Sequence, residues 1–409
     1  HFDNFRAVNG ERYTSADPIR IGVAGAVQLS GPTGTGQYLD LFDPIVATSV
    51  TVTGNVAIRS IAAETLTIRT GATLSPPRTA QPEPLELTLA GSLTIESGAS
   101  IDATGRGFAP VGTYPGATAS TDRAGGSHLG RGGKLDGVSG STFGSVYRPR
   151  EAGGSGAGVP FAGAAGAGGG VVRINAASVL VNGAIRANGA AAERAGSGGS
   201  VWISVERISG TGAIEATGPQ GFWAYGGGGA IAVEYTDPAS TLPVLRANTF
   251  ATNHGQSRFG GAGTLFVRGP GSAYGDLTID NAGAVGEPTE LPSLGRGTAQ
   301  SGTSGATLVT DRAADIPAYF AGHWVEISTP AGALKGTWRI ASVDNRTATL
   351  VPNAGETITI LPGDLWQGVY HFDTFRVVNG ERYTSVDPIR IGVAGAGGGG
   401  GRTDAGRVL

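Results

Sequence analysis

The groups in this chain that could carry chemistry are five histidines and a scatter of carboxylates, and their spacing argues against a shared reaction centre. His1, His128, His254, His323 and His371 are the imidazoles, and no two distinct ones fall at the short spacings that metal ligation uses. His128, close to Ser127 and Arg131 in a glycine-rich stretch, comes nearest to a ligand setting. A histidine there more commonly ties a loop by hydrogen bonds. Glycan cleavage on a β scaffold needs clustered carboxylates holding Ca²⁺ beside a base, or two carboxylates about 5 to 9.5 Å apart. Asp276 and Asp280 share one face of a strand, yet their Cα atoms would lie roughly 13 Å apart. Cysteine is absent, which removes disulfides, thiolate metal sites and thiol nucleophiles together. Gly-x-Gly-x-x-Gly recurs among the 72 glycines, but no βαβ unit surrounds it. Calcium-binding Gly-Gly-x-Gly-x-Asp turns at a nine-residue period are missing as well. The Thr-x-Thr pairs, such as Thr51 with Thr53 and Thr357 with Thr359, do not recur at one repeat position and read as ordinary strand residues. No catalytic residue, cofactor or metal is therefore expected.

The elements that would have to position any site are repetitive. Residues 1–26, HFDNFRAVNGERYTSADPIRIGVAGA, return at 371–396 as HFDTFRVVNGERYTSVDPIRIGVAGA, an offset of 370 residues. The two copies differ only at Asn4 against Thr374, Ala7 against Val377 and Ala16 against Val386. Such duplication marks one long repeat followed by the start of the next. Charged residues are only 15% and the net charge is −3, so neither nucleic acid nor an anionic membrane surface is an expected partner. Hydrophobic residues make up 40%, enough for a core, so the glycine excess does not mean disorder. Lysine occurs only at Lys134 and Lys335, which disfavours Lys–Asn cross-links. No secretory signal and no run of 18 apolar residues occurs, so an export signal would lie outside this segment.

A shorter period runs inside the long one. Leu66-Thr-Ile-Arg-Thr-Gly-Ala-Thr-Leu74 matches Leu93-Thr-Ile-Glu-Ser-Gly-Ala-Ser-Ile101, 27 residues on, and Ala184-Ile-Arg-Ala-Asn-Gly189 matches Ala213-Ile-Glu-Ala-Thr-Gly218, 29 residues on. Alternating runs broken by glycine at this period predict stacked coils, each strand pairing with the next coil about 4.8 Å away. Aligning Ile101, Ile185, Ile214 and Leu245 as inward residues places Asp102, Arg186, Glu215 and Arg246 outward with alternating sign. Ala103, Ala187, Ala216 and Ala247 turn back inward, and Gly105, Gly189 and Gly218 are expected to close the corner with φ > 0. The predicted organisation is a repeat-start or junction segment at 1–45, a parallel β-helix at 46–300, a small antiparallel barrel or sandwich at 306–366, and the next repeat at 367–409. Within the helix, 108–170 is expected to be a glycine-packed flap. Trp324, Trp338 and Trp366 fall in the small domain.

The order of motifs resembles the glycine-rich parallel β-helix repeats of very large bacterial surface and secreted proteins, often described as adhesin-like. The matching residues run from Gly125-Gly-Ser-His-Leu-Gly-Arg-Gly-Gly133 through Gly153-Gly-Ser-Gly156 and Gly168-Gly-Gly-Val-Val-Arg-Ile-Asn175. They continue with Gly198-Gly-Ser-Val-Trp-Ile203, Gly226-Gly-Gly-Gly-Ala-Ile-Ala-Val233 and Tyr274-Gly-Asp-Leu-Thr-Ile-Asp-Asn281. The resemblance implies an all-β class, a right-handed β-solenoid, export to the bacterial cell surface, and a structural or adhesive role. It brings no catalytic residues.

The expected function is thus a structural repeat unit of an extracellular filament, its partners being further copies of the same repeat joined head to tail. Phe2, Phe5, Val8 and Ile19, and their counterparts Phe372, Phe375, Val378 and Ile389, are the apolar residues expected to pack at the junction. The alternative is an adhesin for surface glycans, for which Phe222, Trp223 and Tyr225 form the candidate aromatic patch. A polysaccharide-active β-helix enzyme is the second alternative.

Overall fold

The computed structural model describes residues 6–7, 25–41, 44–158, 164–249, 258–379 and 381–392, and the chain in it is all-β. β-Branched residues at every second position set the strands. In Ile45–Thr53, Ile45, Ala47, Val50 and Val52 are buried while most of the residues between them stay in partial contact with solvent. Strands of this kind, contributed by successive circuits of the chain, line up in an eleven-stranded sheet that begins at Arg6–Ala7 and ends at Thr374–Val378. A second sheet of seven short strands forms the opposite wall. Between them lies one apolar core, from Val27 and Leu29 at one end to Ile231, Val233 and Ala247 at the other. Each fully buried Leu or Ile contributes about 1.5–3 kcal/mol. The long sheet already includes Ala26–Ser30, so stacking starts well before residue 46.

As far as Thr264–Arg268, the pairing in both walls is parallel and follows the internal period. Leu66 sits opposite Leu93. Ile101 pairs with Ile185, Ile185 with Ile214, and Ile214 with Leu245, which is the register that the sequence alignment expects. The outward neighbours are then forced into a column of unlike charges. Arg186 lies 3.8 Å from Asp102 and 3.5 Å from Glu215, and Arg246 lies 2.9 Å from Glu215. These pairs are partly exposed and contribute only a few tenths of a kcal/mol each.

From Gly170 to Gly263 the third side of the circuits is built from backbone. Gly170, Gly199, Gly229 and Gly263 stack directly: a Cβ on Gly199 would stand 2.0 Å from the Gly170 carbonyl oxygen, one on Gly229 2.1 Å from that of Gly199, and one on Gly263 1.8 Å from that of Gly229. Successive amides along this run donate to different segments. Ser197 N–H reaches Gly154 O, Gly198 reaches Gly227 O, Gly199 reaches Ala187 O and Ser200 reaches Gly170 O. A flat strand offers only two donor directions, so the backbone here turns about its own axis as an extended threefold helix does. Residues 103–158 lie on this seam, with Gly130 N–H bonded to Gly228 O, Gly133 N–H to Tyr225 O, and Gly126 O accepting from Gly227. The corner glycines differ from expectation. Only Gly105 has positive φ (64°), whereas Gly189 and Gly218 are required because a Cβ would meet the carbonyl oxygens of Gly196 and Gly226 at 2.0 Å.

At the far end the long sheet changes character. Thr264–Arg268 is parallel to its predecessor, but Asp276–Asp280 runs antiparallel to it, and Thr374–Val378 is parallel to Asp276–Asp280. The buried face changes side at the same place. Ile231 and Val233 face the first core, while Ala230, Ala232, Phe266 and Leu277 face a separate cluster with Tyr147, Tyr370 and Phe372. An antiparallel sheet running from Arg296–Thr298 to Leu365–Phe372 adds a third core around Trp338 and Trp366. Its hydrogen-bonded path is open between Arg296–Thr298 and Thr307–Val309 among the described residues, and its strand Leu365–Phe372 passes the expected boundary at 366.

Replacing Gly199 by alanine should destabilise the protein by more than about 4 kcal/mol, because two backbone layers must separate. Gly71→Ala, at φ 79° but in open space, should cost about 1–2 kcal/mol. Denaturation midpoints of the two variants check this, and equal losses would contradict the close-packed seam.

Candidate functional site

The duplicated segment is where the sequence repeats and where the second core forms, so its seat is the candidate site. Its second copy begins as the end of Leu365–Phe372, adds Thr374–Val378 to the long sheet, pairs Tyr383–Ser385 with Thr289–Leu291, and returns Ile389–Ile391 alongside Tyr370–Phe372. That is one complete circuit laid on the preceding strands.

Five of the six charged residues between Asp373 and Arg390, Asp373, Glu381, Arg382, Asp387 and Arg390, grip what comes before them. The Asp373 carboxylate accepts from Ser272 Oγ (2.5 Å) and from the amides of Tyr274 and Gly275 (3.1 Å each). Asp387, 3% exposed, accepts from Ser293 Oγ (2.5 Å), Leu294 N–H (2.7 Å) and Gly295 N–H (3.2 Å), with the His323 ring 3.5 Å away. Burial works against that charge, but His323 and the donors outweigh it and hold the carboxyl below its usual range. Arg390 forms a two-point pair with Glu326 at 2.8 and 3.0 Å, Arg382 donates to Gly286 O at 2.6 Å, and Asn379 donates to Asp280 at 2.7 Å. Glu381 accepts from Ala262 N–H, and burial pushes its carboxyl up to about 7.

The apolar residues fill the same seat. Phe372 is fully buried, 5.6 Å from Tyr147 and 6.1 Å from Phe375, and Ile389 is 7% exposed in the same cluster. Phe375 packs at its edge and Val378 is half-buried. His371 stacks on Tyr274 at 3.6 Å, and its backbone amide donates to the Tyr147 hydroxyl. Phe2, Phe5, Val8 and Ile19 lie outside the described residues. Yet Asp3, Glu11, Arg12, Asp17 and Arg20 repeat the gripping residues without change, and of the three substituted positions the second copy leaves Val386 84% exposed and Thr374 and Val377 half-buried. Of these three, none makes a side-chain hydrogen bond.

The aromatic trio is not one patch. Phe222 is exposed and stands edge-on to Trp223 at 4.6 Å, while Tyr225 is fully buried against Phe259. His128 is also fully buried, with Nδ1 3.1 Å from Gly198 O, and burial depresses its pKa to about 4, so the ring is neutral and donates from Nδ1. Sequence reasoning missed a second feature. Arg148, Arg150 and Arg173 converge on the Trp202 ring, 5.2 to 5.9 Å from its centroid. Only the outward alternation of Arg173 and Trp202 on their strands could have signalled it. Among the described residues, no group of three His, Asp or Glu residues could hold a metal ion, and no helix is long and apolar enough to cross a membrane. No family model, curated protein or solved structure matches the chain.

Asp387→Ala should cost about 3–5 kcal/mol, since it strands buried donors, whereas Val386→Asp should stay within about 0.5 kcal/mol; thermal or urea unfolding distinguishes them. Acid should weaken the fold through His128. Its folded pKa of about 4 lies below the unfolded 6.5, so stability is complete above pH 6.5 and falls as pH drops toward 4, by on the order of 3 kcal/mol. His371, depressed to about 4 by burial, adds in the same direction, and Glu381 acts oppositely between pH 4.5 and 7. A His128→Gln variant should therefore lose less of its urea midpoint than the parent between pH 7 and 4.5.

Proposed function

We propose that the chain is a structural repeat unit of an exported, extracellular fibre, in which the circuits are coils of a right-handed parallel β-helix and repeats join end to end through a shared strand. One observation carries this reading. Arg6–Ala7 and Thr374–Val378 contain the same motif positions, and each pairs in parallel with a different neighbour: the first with Ala26–Ser30, the second with Asp276–Asp280. One strand thus has both edges accounted for within a single sequence. Placed between two units, it would continue the sheet without a free edge, which is how stacked strands avoid uncontrolled pairing. The preserved gripping residues of the first copy support a preceding unit for them to hold. The parallel crossovers support the right hand, since connections of that kind take it in about 98% of cases. Exposed Phe222, edge-on to the half-buried Trp223, is what favours the adhesin alternative.

The geometry sets a period. Eleven strands from one copy of the motif to the next give ten spacings, or about 48 Å per repeat. Strand direction and buried face both switch once per repeat, so successive repeats would be related by about half a turn around the axis, with a true period of two repeats, about 95 Å. Electron microscopy of native assemblies, or of a chain carrying several consecutive repeats, tests this. Unbranched filaments with a layer line near 95 Å are expected; isolated globular particles would refute the fibre.

A further inference from the structure

The arginine–tryptophan cluster lies in a groove of about 210 Å³ on the outer face of the long sheet. Three parallel strands present two aligned rows there. Glu86, Arg173 and Trp202 stand in register in one row, and Thr88, Asn175 and Ser204 in the next. Beside the groove, the glycine-rich segment brings Arg148 and Arg150 to the Trp202 ring, 5.9 and 5.2 Å from its centroid. Trp202 Nε1–H donates to Glu234 at 3.2 Å, which fixes the ring, and Glu234 in turn pairs with Arg268. Arg173 pairs with Glu86, but among the described residues neither Arg148 nor Arg150 has an ion pair. The Nε atoms of Arg148 and Arg173 are buried without a hydrogen-bond partner.

Three guanidinium groups around one indole repel each other; Glu86 pairs with Arg173, and Glu151 and Glu86 offset part of the charge on Arg150. Burial first, and then the charges of Arg173 and Arg148, lower the pKa of Arg150 against the opposing pull of Glu151 and Glu86. The remaining donors are suited to hydroxyls: Thr88, Asn175 and Ser204 form a polar row one strand step from the ring. The volume is below that of a drug-sized pocket, and fits a single ring of a longer chain.

We propose that this groove binds a uronic acid residue of an acidic polysaccharide. The carboxylate would take the two-point geometry that a guanidinium offers, from Arg148 and Arg150. The apolar face of the sugar would lie against the accessible part of Trp202, and its hydroxyls would reach Asn175, Ser204 and Thr88. Such a site would tether a filament to the acidic polysaccharide around it, whether or not the repeats polymerise.

Calorimetric titration of the intact chain with tetragalacturonate tests the assignment, with the fully methyl-esterified tetramer, a chondroitin sulfate tetrasaccharide and tetra-aspartate as comparisons. Binding of tetragalacturonate is expected, with the methyl ester at least about tenfold weaker, as loss of a charged hydrogen-bonded pair implies. Arg150→Gln, at an exposed side chain without an ion pair among the described residues, should weaken binding by about tenfold and leave the urea midpoint unchanged. Asn175→Ala should weaken the sugar by a few-fold. No binding, binding indifferent to Arg150→Gln, or equal binding of the ester overturns the proposal. Tighter binding of the sulfated tetrasaccharide or of tetra-aspartate overturns it in favour of sulfate or an acidic peptide.

Discussion

Backbone lying on backbone is the contact from which the rest of this molecule follows. Where Gly170, Gly199, Gly229 and Gly263 stack, carbonyl oxygens occupy the space that side chains would need. The two apolar walls can then close on a third side with almost no volume. That closeness fixes the axial spacing, and the spacing fixes which Ile faces which Ile in the opposite wall. The charge column of Asp102, Arg186, Glu215 and Arg246 comes along as a by-product of the register, weak in energy but consistent with it.

The same sheet serves two cores. Ile231 and Val233 look one way, and Ala230, Ala232 and Phe266 look the other, so the strands near residue 230 are covered on both faces. Small residues on the second face leave room for Tyr147, Tyr370 and Phe372, whose rings lie 5.6 to 6.2 Å apart. The duplicated segment closes this second core with aromatic packing and then locks it with buried carboxylates. Such a seat is specific because Asp373 and Asp387 each need several donors at fixed positions, and those donors are amides at the turns that precede the antiparallel sheet.

Much of this was legible in the residues. The offsets of 27 and 29 gave the pairing of Leu66 with Leu93 and of Ile185 with Ile214, because a stacked circuit must return to the same pleat. The reversal at Asp276–Asp280 was not legible, since alternation reads the same in either strand direction. Gly189 and Gly218 were assigned a dihedral role because a sequence shows the missing Cβ but not the carbonyl that excludes it. Phe222 and Tyr225 separated for a local reason, one facing solvent and the other Phe259. The arginines at 148 and 150 meet Trp202 only through a long excursion of the chain, and no periodicity carries that information.

The glycine-rich segment is synthesised before the surface that holds it. Gly130 and Gly133 bond to Gly228 and Tyr225, and the hydroxyl of Tyr147 meets the backbone of His371, 224 positions later. At ordinary elongation rates that interval is on the order of tens of seconds. Across that interval partners for the segment arrive in stages, among them Ala195 and Ser197, then Gly228, and last the backbone of His371. Closure of the second core thus waits on Tyr370, Phe372 and Ile389, which makes folding directional in time as well as in space.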